Sequence, residues 1–561
     1  MRSKSIALLG VLLLLLSACA GLPRSGEVQV QERLRQVDGD VTLHPVGPKK
    51  GATPQEIVES FTRAAAAGLY DDFAVAREYL MPEAAAKWNP LMQVSIYADS
   101  RTPATSQTDT GSFKTSVAAL GSINAEGMYA NAPQDALITN EYSLVRNSDK
   151  EWRISVLTDS IVIPQAIFSS FYAEAALYFL NQDNSALVAD VRWYPRKRLS
   201  NQLARGLVAG PSKWLAGAVK SAIPASADVE SVEVQVDPAV AKINLSSDIV
   251  SLPDSALALI NAQFEKTFAA AGLAPKIKIF AKGGPVRDTA KLDLPVYPLA
   301  TSPLTALADG IPVQITKNQQ LPLFNNAAIA GLGLTDLAAG YSDNVQYGAA
   351  LGKERSRLYL LNYADARWQQ IYSGRELAGP SMDRYAWIWV GEKRSDGALT
   401  AISMESGADI HLDIPSLKGK DVQAIAVSRE GNRIVVACRK ETKQELLVAA
   451  IVRDEHGKPV KLGEPLQIGQ RLENISDIAW ISESKLAVLA KESEKDENSL
   501  SALQIGGPMK KINGITNPQA LTAGRGKDSI VLLGADSKLY EYSAGVWKVI
   551  AEKVSAPALA G

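Results

Sequence analysis

From about residue 296 onwards the chain repeats one pattern: an apolar run of small residues, a polar turn, a second apolar run, then more polar strand-like segments. Ala328-Ile329-Ala330 leads to Asp336-Leu337-Ala338-Ala339-Gly340, and Tyr385-Ala386-Trp387-Ile388-Trp389-Val390 closes a second unit. Ala424-Ile425-Ala426-Val427-Ser428 leads to Arg433-Ile434-Val435-Val436-Ala437, and Ile478-Ala479-Trp480-Ile481 to Lys485-Leu486-Ala487-Val488-Leu489. Ala520-Leu521-Thr522 leads to Ser529-Ile530-Val531-Leu532-Leu533. Leu358-Tyr359-Leu360 and Leu539-Tyr540-Glu541-Tyr542 read as outer strands. The units start about 43–53 residues apart, the length of a four-stranded β-propeller blade. The pattern predicts a propeller over 296–561 with about five blades, or six if Ile311–Thr316 closes the ring against the C-terminal blade. A β-sandwich array competes, but the segment has no disulfides and no discrete linkers.

The other end of the chain is equally informative. Arg2 and Lys4 precede an apolar run from Ile6 to Leu16, broken only by Gly10, and Leu16-Ser17-Ala18-Cys19 follows. A basic start, a short apolar stretch and small residues before a cut site describe a secretory signal. The run is shorter than the roughly 20 apolar residues a membrane span needs. An ordinary signal accepts almost any residue after the cut, whereas the pattern here resembles a bacterial lipobox. The lipobox resemblance implies removal of 1–18, an S-diacylglycerol on Cys19 and acylation of its new N-terminus. Each buried CH₂ contributes roughly 0.8 kcal/mol, so two or more chains anchor a protein almost permanently. Residues 19–50, polar and punctuated by His44-Pro45 and Gly47-Pro48, read as a tether.

A chain of 561 residues exceeds a single core, and length alone suggests three or four domains. The formal charge is −1, and loss of Arg2 and Lys4 with the signal makes it more negative, so the surface has no general attraction for nucleic acid. Only Cys19 and Cys438 occur; with the first acylated, the second has no intramolecular partner, and its apolar surroundings make it a small core residue.

Between the tether and the repeats lie two mixed segments. Over 51–165, Thr53-Pro54-Gln55-Glu56 forms a capping box ahead of a helix carrying Ile57, Phe61 and Ala64, which Gly68 stops. A second helix is expected over 71–80, and after Pro90 the period turns to strands near 92–97, 112–120, 128–130, 137–146 and 152–157. This α+β order resembles the NTF2-like cone. Over 168–287, Ala176-Leu177-Tyr178-Phe179-Leu180 reads as a strand and a helix through Leu203 and Leu207 ends at Gly210-Pro211. Ser221-Ala222-Ile223-Pro224, strands near 232–236 and 241–245, a helix over 254–271 and Lys276-Ile277-Lys278-Ile279-Phe280 follow. These residues resemble the GerMN domain, an α/β module of sporulation and germination lipoproteins, and inherit no catalytic role from it.

Inside that segment Trp193, Tyr194, Arg196, Lys197 and Arg198 form a candidate binding patch, in which cations beside aromatics suit an anionic glycan, a lipid headgroup or an acidic partner. A solvated loop is the plainer reading. No metal or cofactor is expected: the three histidines, His44, His411 and His456, form no ligand pair with one another or with cysteine. Ser482-Glu483-Ser484-Lys485 and Ser342-Asp343-Asn344 match motifs of penicillin-recognising enzymes, but in reversed order and in turns of a repeat, so they read as coincidence. Gly331-Leu332-Gly333 lacks the third glycine of a dinucleotide loop. No catalytic residues are assigned and the chain is not expected to be an enzyme.

Lipobox, NTF2-like segment, GerMN-like segment and propeller, in this order, resemble the LpqB-type lipoproteins of actinobacteria over essentially the whole chain. The resemblance implies an accessory to the MtrAB two-component system that contacts the extracytoplasmic part of the MtrB sensor histidine kinase and serves cell-envelope homeostasis. An envelope protein that binds cell-wall glycan or lipid, or a cryptic hydrolase, is the alternative. In either case the protein is expected on the extracytoplasmic face of the cell membrane, held by its lipid.

Overall fold

Thr53 begins the first helix as its sequence requires. Its hydroxyl accepts from the Glu56 backbone N–H at 3.3 Å while the Glu56 carboxylate accepts from the Thr53 N–H at 2.7 Å, which satisfies two otherwise orphaned donors of helix α1 (Pro54–Ala67). The computed structural model describes residues 45–560 except 247–248, 297–301, 317–318, 325–326, 342–343, 492–495, 525 and 527–528. The signal segment, Cys19, His44, most of the tether, Ser342 and Asp343 lie outside the described residues.

The expected 71–80 helix shrinks to α2 (Ala74–Arg77), and α3 (Pro82–Lys87) follows. Asp71 causes the difference: its carboxylate accepts from the N–H groups of Phe73 and Val75, and Asp72 and Phe73 take positive φ, so the side chain competes with helical hydrogen bonding. The sheet runs Trp152–Leu157, Leu137–Arg146, Ser112–Asn124, Gln93–Tyr97, Ile161–Pro164, with the last pair parallel. Ala104–Asp109 and Tyr129–Asn131 add to the long central strand. Phe61 fills the space between helix and sheet, stacking on Trp88, Tyr142 and Tyr79 at centroid distances of 5.3, 5.8 and 6.5 Å.

Helix α4 (Gln165–Phe171) leads directly into the hairpin Tyr172–Asn181 with Leu187–Pro195. Helix α5 (Leu199–Ala209) packs beneath it and stops at Gly210, where φ is 90°. A second sheet orders Val229–Val236, Ala239–Leu245, Lys276–Ala281 and Gly284–Pro285; its middle pair is parallel because helix α6 (Asp254–Ala270) supplies the crossover. This is the α/β arrangement read from the sequence.

Six sheets follow. Blade 2 comprises Asp336–Ala339, Tyr347–Leu351, Arg357–Asn362 and Arg367–Ser373. Blades 3, 4, 5 and 6 begin with the innermost strands Leu377–Met382, Asp421–Val427, Glu473–Trp480 and Ala520–Ala523. Blade 1 is composite: Leu304–Ala308, Ile311–Thr316 and Gln319–Pro322 are completed by Ser555–Ala558 from the far end of the chain. The innermost strands neighbour one another in cyclic order, Ser555–Ala558 lying between those of blades 6 and 2. Two details depart from expectation. Leu304–Ala308, rather than Ile311–Thr316, receives the C-terminal strand. Ala327–Leu332 forms a 3₁₀ turn, so the inner strand of blade 2 is Asp336–Ala339.

Candidate functional site

In a propeller the inner strands decide what occupies the axis. Here they set Ala338, Ala424, Ala479, Ala520 and Ala558 along the wall, and these short side chains leave a cavity of about 330 Å³. One end is shut. Arg429, 2% exposed, follows the blade 4 inner strand and donates to the carbonyls of Ala560 at 2.9 Å and Ala523 at 3.5 Å. The other end opens between Asp336, Arg355, Gln423, Ser476, Asp477 and Gln519.

The second domain covers the shut end. Asn432 Nδ2 donates to the Ala218 carbonyl, Tyr385 Oη to Asp183 Oδ2, and Tyr178 Oη to Glu483 Oε1. Arg433 joins three elements: its Nε pairs with Glu430 at 2.6 Å, and its terminal nitrogens donate to Glu483 O of blade 5 and Ala189 O of the second domain. Its guanidinium also lies 4.8 Å from the Trp480 ring centroid. Leu177, Phe179, Leu207 and Trp214 of the second domain share one continuous apolar core with Ala424, Val435, Val448 and Trp480 of blades 4 and 5. Burial raises the Tyr178 hydroxyl well above its ordinary range, and Glu483 adds to this, so Tyr178 serves as a neutral donor.

The sequence patch falls where all three domains meet. Trp193 Nε1 donates to Gly506 O of blade 5 at 2.8 Å, its backbone N–H donates to Gly127 O of the first domain at 2.7 Å, and its ring lies 4.7 Å from that of Phe168. Tyr194 is buried, and burial pushes its hydroxyl up to about 12. Gly127 is required at this junction: it holds φ at 83°, and a Cβ there would meet Tyr194 at 2.9 Å. Arg196 donates to Ser170 O; Lys197 and Arg198 both pair with Asp72 of the first domain, at 3.3 and 2.8 Å. These two cations hold the Asp72 carboxyl below its ordinary value, the Lys197 hydrogen bond first. Asp190, whose carboxylate accepts from Ser212, also pairs with Arg192 at 2.9 Å, and Arg192 reaches the Glu126 carbonyl. The aromatics and cations of the patch are therefore brought together, but around internal partners.

The remaining sequence candidates are dispersed. His411 sits on an outer strand against Thr400 and Asp409, and His456 is exposed in a turn. Ser482 Oγ accepts from the N–H groups of Ser484 and Lys485, an ordinary turn bond. Cys438 is wholly buried, which pushes its thiol up to about 11 and keeps it unreactive. Among the described residues no group of three or more His, Cys, Asp or Glu is placed to hold a metal.

Sequence reasoning missed the mouth of the axial cavity. Asp477 is half-buried there, with Oδ1 accepting from Ile478 N–H at 2.9 Å and Oδ2 from Leu521 N–H at 2.8 Å. Burial, reinforced by the Asp336 charge, pushes its carboxyl up to about 7 despite those two donors and the Arg355 charge. Arg355 pairs with Asp336 at 2.9 Å and donates through Nε to the Leu377 carbonyl. No motif marks these three residues; only the ring of inner strands collects them.

A mixed domain clamped to one end of a ring of six described sheets, with another mixed domain joined to it, defines a class of large, multi-domain, propeller-bearing proteins. Comparison with known families gives that class a narrower identity. The family model described as Lipoprotein LpqB, N-terminal domain matches residues 47–169, that of the Lipoprotein LpqB beta-propeller domain matches 324–560, and one described as Sporulation and spore germination matches 176–287. Lipoprotein LpqB of Cutibacterium acnes is 24% identical, covering 100% of this chain and 99% of its own. The Streptomyces avermitilis protein is 22% identical over 98% and 96%, and the Bifidobacterium longum protein 23% over 78% and 77%. The chain belongs to the LpqB-type actinobacterial lipoproteins and is a lipoprotein of the cell envelope. No helix among the described residues is long and apolar enough to cross a membrane.

Proposed function

We propose that this protein is a lipid-anchored accessory of a two-component sensor histidine kinase, that it binds the extracytoplasmic domain of an MtrB-like kinase, and that it serves cell-envelope homeostasis without catalysing a reaction. Cys19 carries the anchor, on the extracytoplasmic face. The kinase as partner rests on the resemblance of the whole domain order. The observation that carries a binding rather than a catalytic role is how the buried polar groups are used: Arg433, Arg192, Trp193 and Asn432 join domains. A body locked in this way presents a fixed surface to a partner, which lowers the ordering cost of association.

Docking of glycan or lipid at the 193–198 patch finds less support, because Trp193 and Tyr194 are turned inward and Lys197 and Arg198 already hold Asp72. Affinity capture of the lipidated chain from actinobacterial membranes is expected to recover a sensor kinase. The purified kinase ectodomain is expected to bind saturably. No association up to concentrations on the order of tens of micromolar, about −6 to −7 kcal/mol, overturns the proposal. Mass spectrometry of the mature N-terminus tests the anchor: an unmodified Cys19, or cleavage elsewhere, refutes it.

A further inference from the structure

The axial cup is a built concavity for which the partner reading has no use. Its volume of about 330 Å³ lies at the lower end of small-ligand sites. Arg429 closes its base, alanines keep its wall clear, and its mouth faces away from the second domain. Only three ionisable side chains line it among the described residues: Asp336, Arg355 and Asp477. Arg355 already pairs with Asp336, which leaves one carboxylate in excess, and no described cation stands within ion-pair distance of Asp477.

Asp477 is held rather than free to turn. One N–H on each oxygen fixes it between blades 5 and 6, and a carboxylate has acceptor capacity for about two more donors. Charge in so enclosed a place is costly, as the rise of its carboxyl to about 7 reflects. A costly group kept at the mouth of a concavity is a common mark of a functional site. An incoming anion meets the excess negative charge. A bare divalent cation meets the Arg355 guanidinium beside Asp336. A neutral molecule supplies no counter-charge, so beside it Asp477 gains nothing by ionising. A primary ammonium supplies both the missing charge and three donors.

We infer that the cup binds a compact primary ammonium carried on a polar molecule of monosaccharide size, with Asp477 receiving the ammonium, Asp336 reinforcing its charge, and Gln519 and Ser476 at the rim facing its hydroxyl or amide groups. The inference is independent of the kinase reading, and each can fail while the other stands.

The test is isothermal titration of the full lipidated chain in detergent micelles at neutral pH with D-glucosamine, against N-acetyl-D-glucosamine and D-glucose as controls of similar size without the ammonium. Glucosamine is expected to bind saturably and at least tenfold more tightly than either control. Asp477→Asn, nearly isosteric, is expected to weaken it at least tenfold while a cooperative thermal melt shows that the variant remains folded, although its one amide oxygen can serve only one of the two backbone N–H groups. Ser476→Trp, at an exposed rim position, is expected to block entry without touching the carboxylates. The inference is overturned if glucosamine gives no saturable heat, if it and N-acetylglucosamine bind alike, or if either variant binds it as the parent does.

Discussion

At the end of the propeller axis covered by the second domain, Arg429, Glu430 and Arg433 are each at most 2% exposed. At the other end Asp336, Arg355 and Asp477 surround an open mouth. Both sets gather around the ends of the inner strands, Arg355 and Arg433 from the neighbouring turn and second strand, so the repeat alone does not distinguish them. What differs is the company each keeps. At the covered end Arg433 is matched by Glu430 and by carbonyls of blade 5 and the second domain, and its burial is part of how the domains are joined. The open charges are matched only in part, and the unmatched one is held where its ionised form is disfavoured. The same scaffold thus uses charge for assembly at one end and leaves charge available for recognition at the other.

The sharpest way to break this contrast is to remove the charge that joins the covered end. Arg433→Ala leaves the Glu430 carboxylate buried without its cation, and unpairing a buried ion typically costs about 3–5 kcal/mol. The expected outcome is a large fall in the thermal midpoint, with early loss of protection in Leu187–Pro195 by hydrogen exchange, since Arg433 also holds Ala189 O. A midpoint near the parent's would show that the shared apolar core alone joins the domains. Trp193→Ala comes next. It removes a large ring and a hydrogen bond to blade 5 at the three-domain junction, a loss of about 3 kcal/mol. First-domain and propeller signals are then expected to melt separately where the parent melts together.

The open end responds in the opposite sense. The folded-state value of Asp477, about 7, lies above the unfolded value near 4, so between these pH values the folded chain keeps a proton that the unfolded chain has lost. Its contribution to stability therefore falls as pH rises from about 4 to 7 and stays low above that. Asp477→Asn cannot ionise. Its single amide oxygen serves only one of the two N–H groups, a loss that does not vary with pH, so relative to the parent it is expected to gain roughly 1–2 kcal/mol of stability between pH 4 and pH 8 once water at the mouth is allowed for. Thermal melts of parent and variant across this range check the sign; a variant whose stability relative to the parent does not rise with pH contradicts it.

The difference between the ends was not legible in the sequence, although much of the fold was. Thr53 and Glu56 announce a helix because a capping box needs only neighbours, and 137–146 and 152–157 show their strands by alternation. Blades 4 to 6 show in their paired apolar runs for the same reason. Blade 1 shows only in Ile311–Thr316, because its inner strand is Ser555–Ala558, short, proline-bearing and paired with Leu304–Ala308 from the opposite end of the segment. Proline is tolerated there because the strand lies at the sheet edge. Likewise nothing near Asp477 in sequence announces Asp336 or Arg355, which the ring brings in from blade 2. The 193–198 patch misleads in the reverse direction: its aromatics and cations are visible together, while Asp72, which engages two of the cations, lies far upstream.

That patch supplies the finest test of the comparison. Lys197 and Arg198 reach Asp72 across the boundary between the first and second domains, yet both ends of each pair are more than half exposed. Exposed ion pairs contribute little, because water and salt screen them and two long side chains must be ordered to form them. Replacing Arg196, Lys197 and Arg198 together by alanine is therefore expected to leave the thermal midpoint within experimental error of the parent's. The junction should persist through Trp193 and through Arg192, whose pair with Asp190 is almost wholly buried. A clear fall in midpoint would make the surface cations part of the clamp and move the boundary between joining charge and free charge outwards, from the covered face to the solvent-exposed rim of the domain contact.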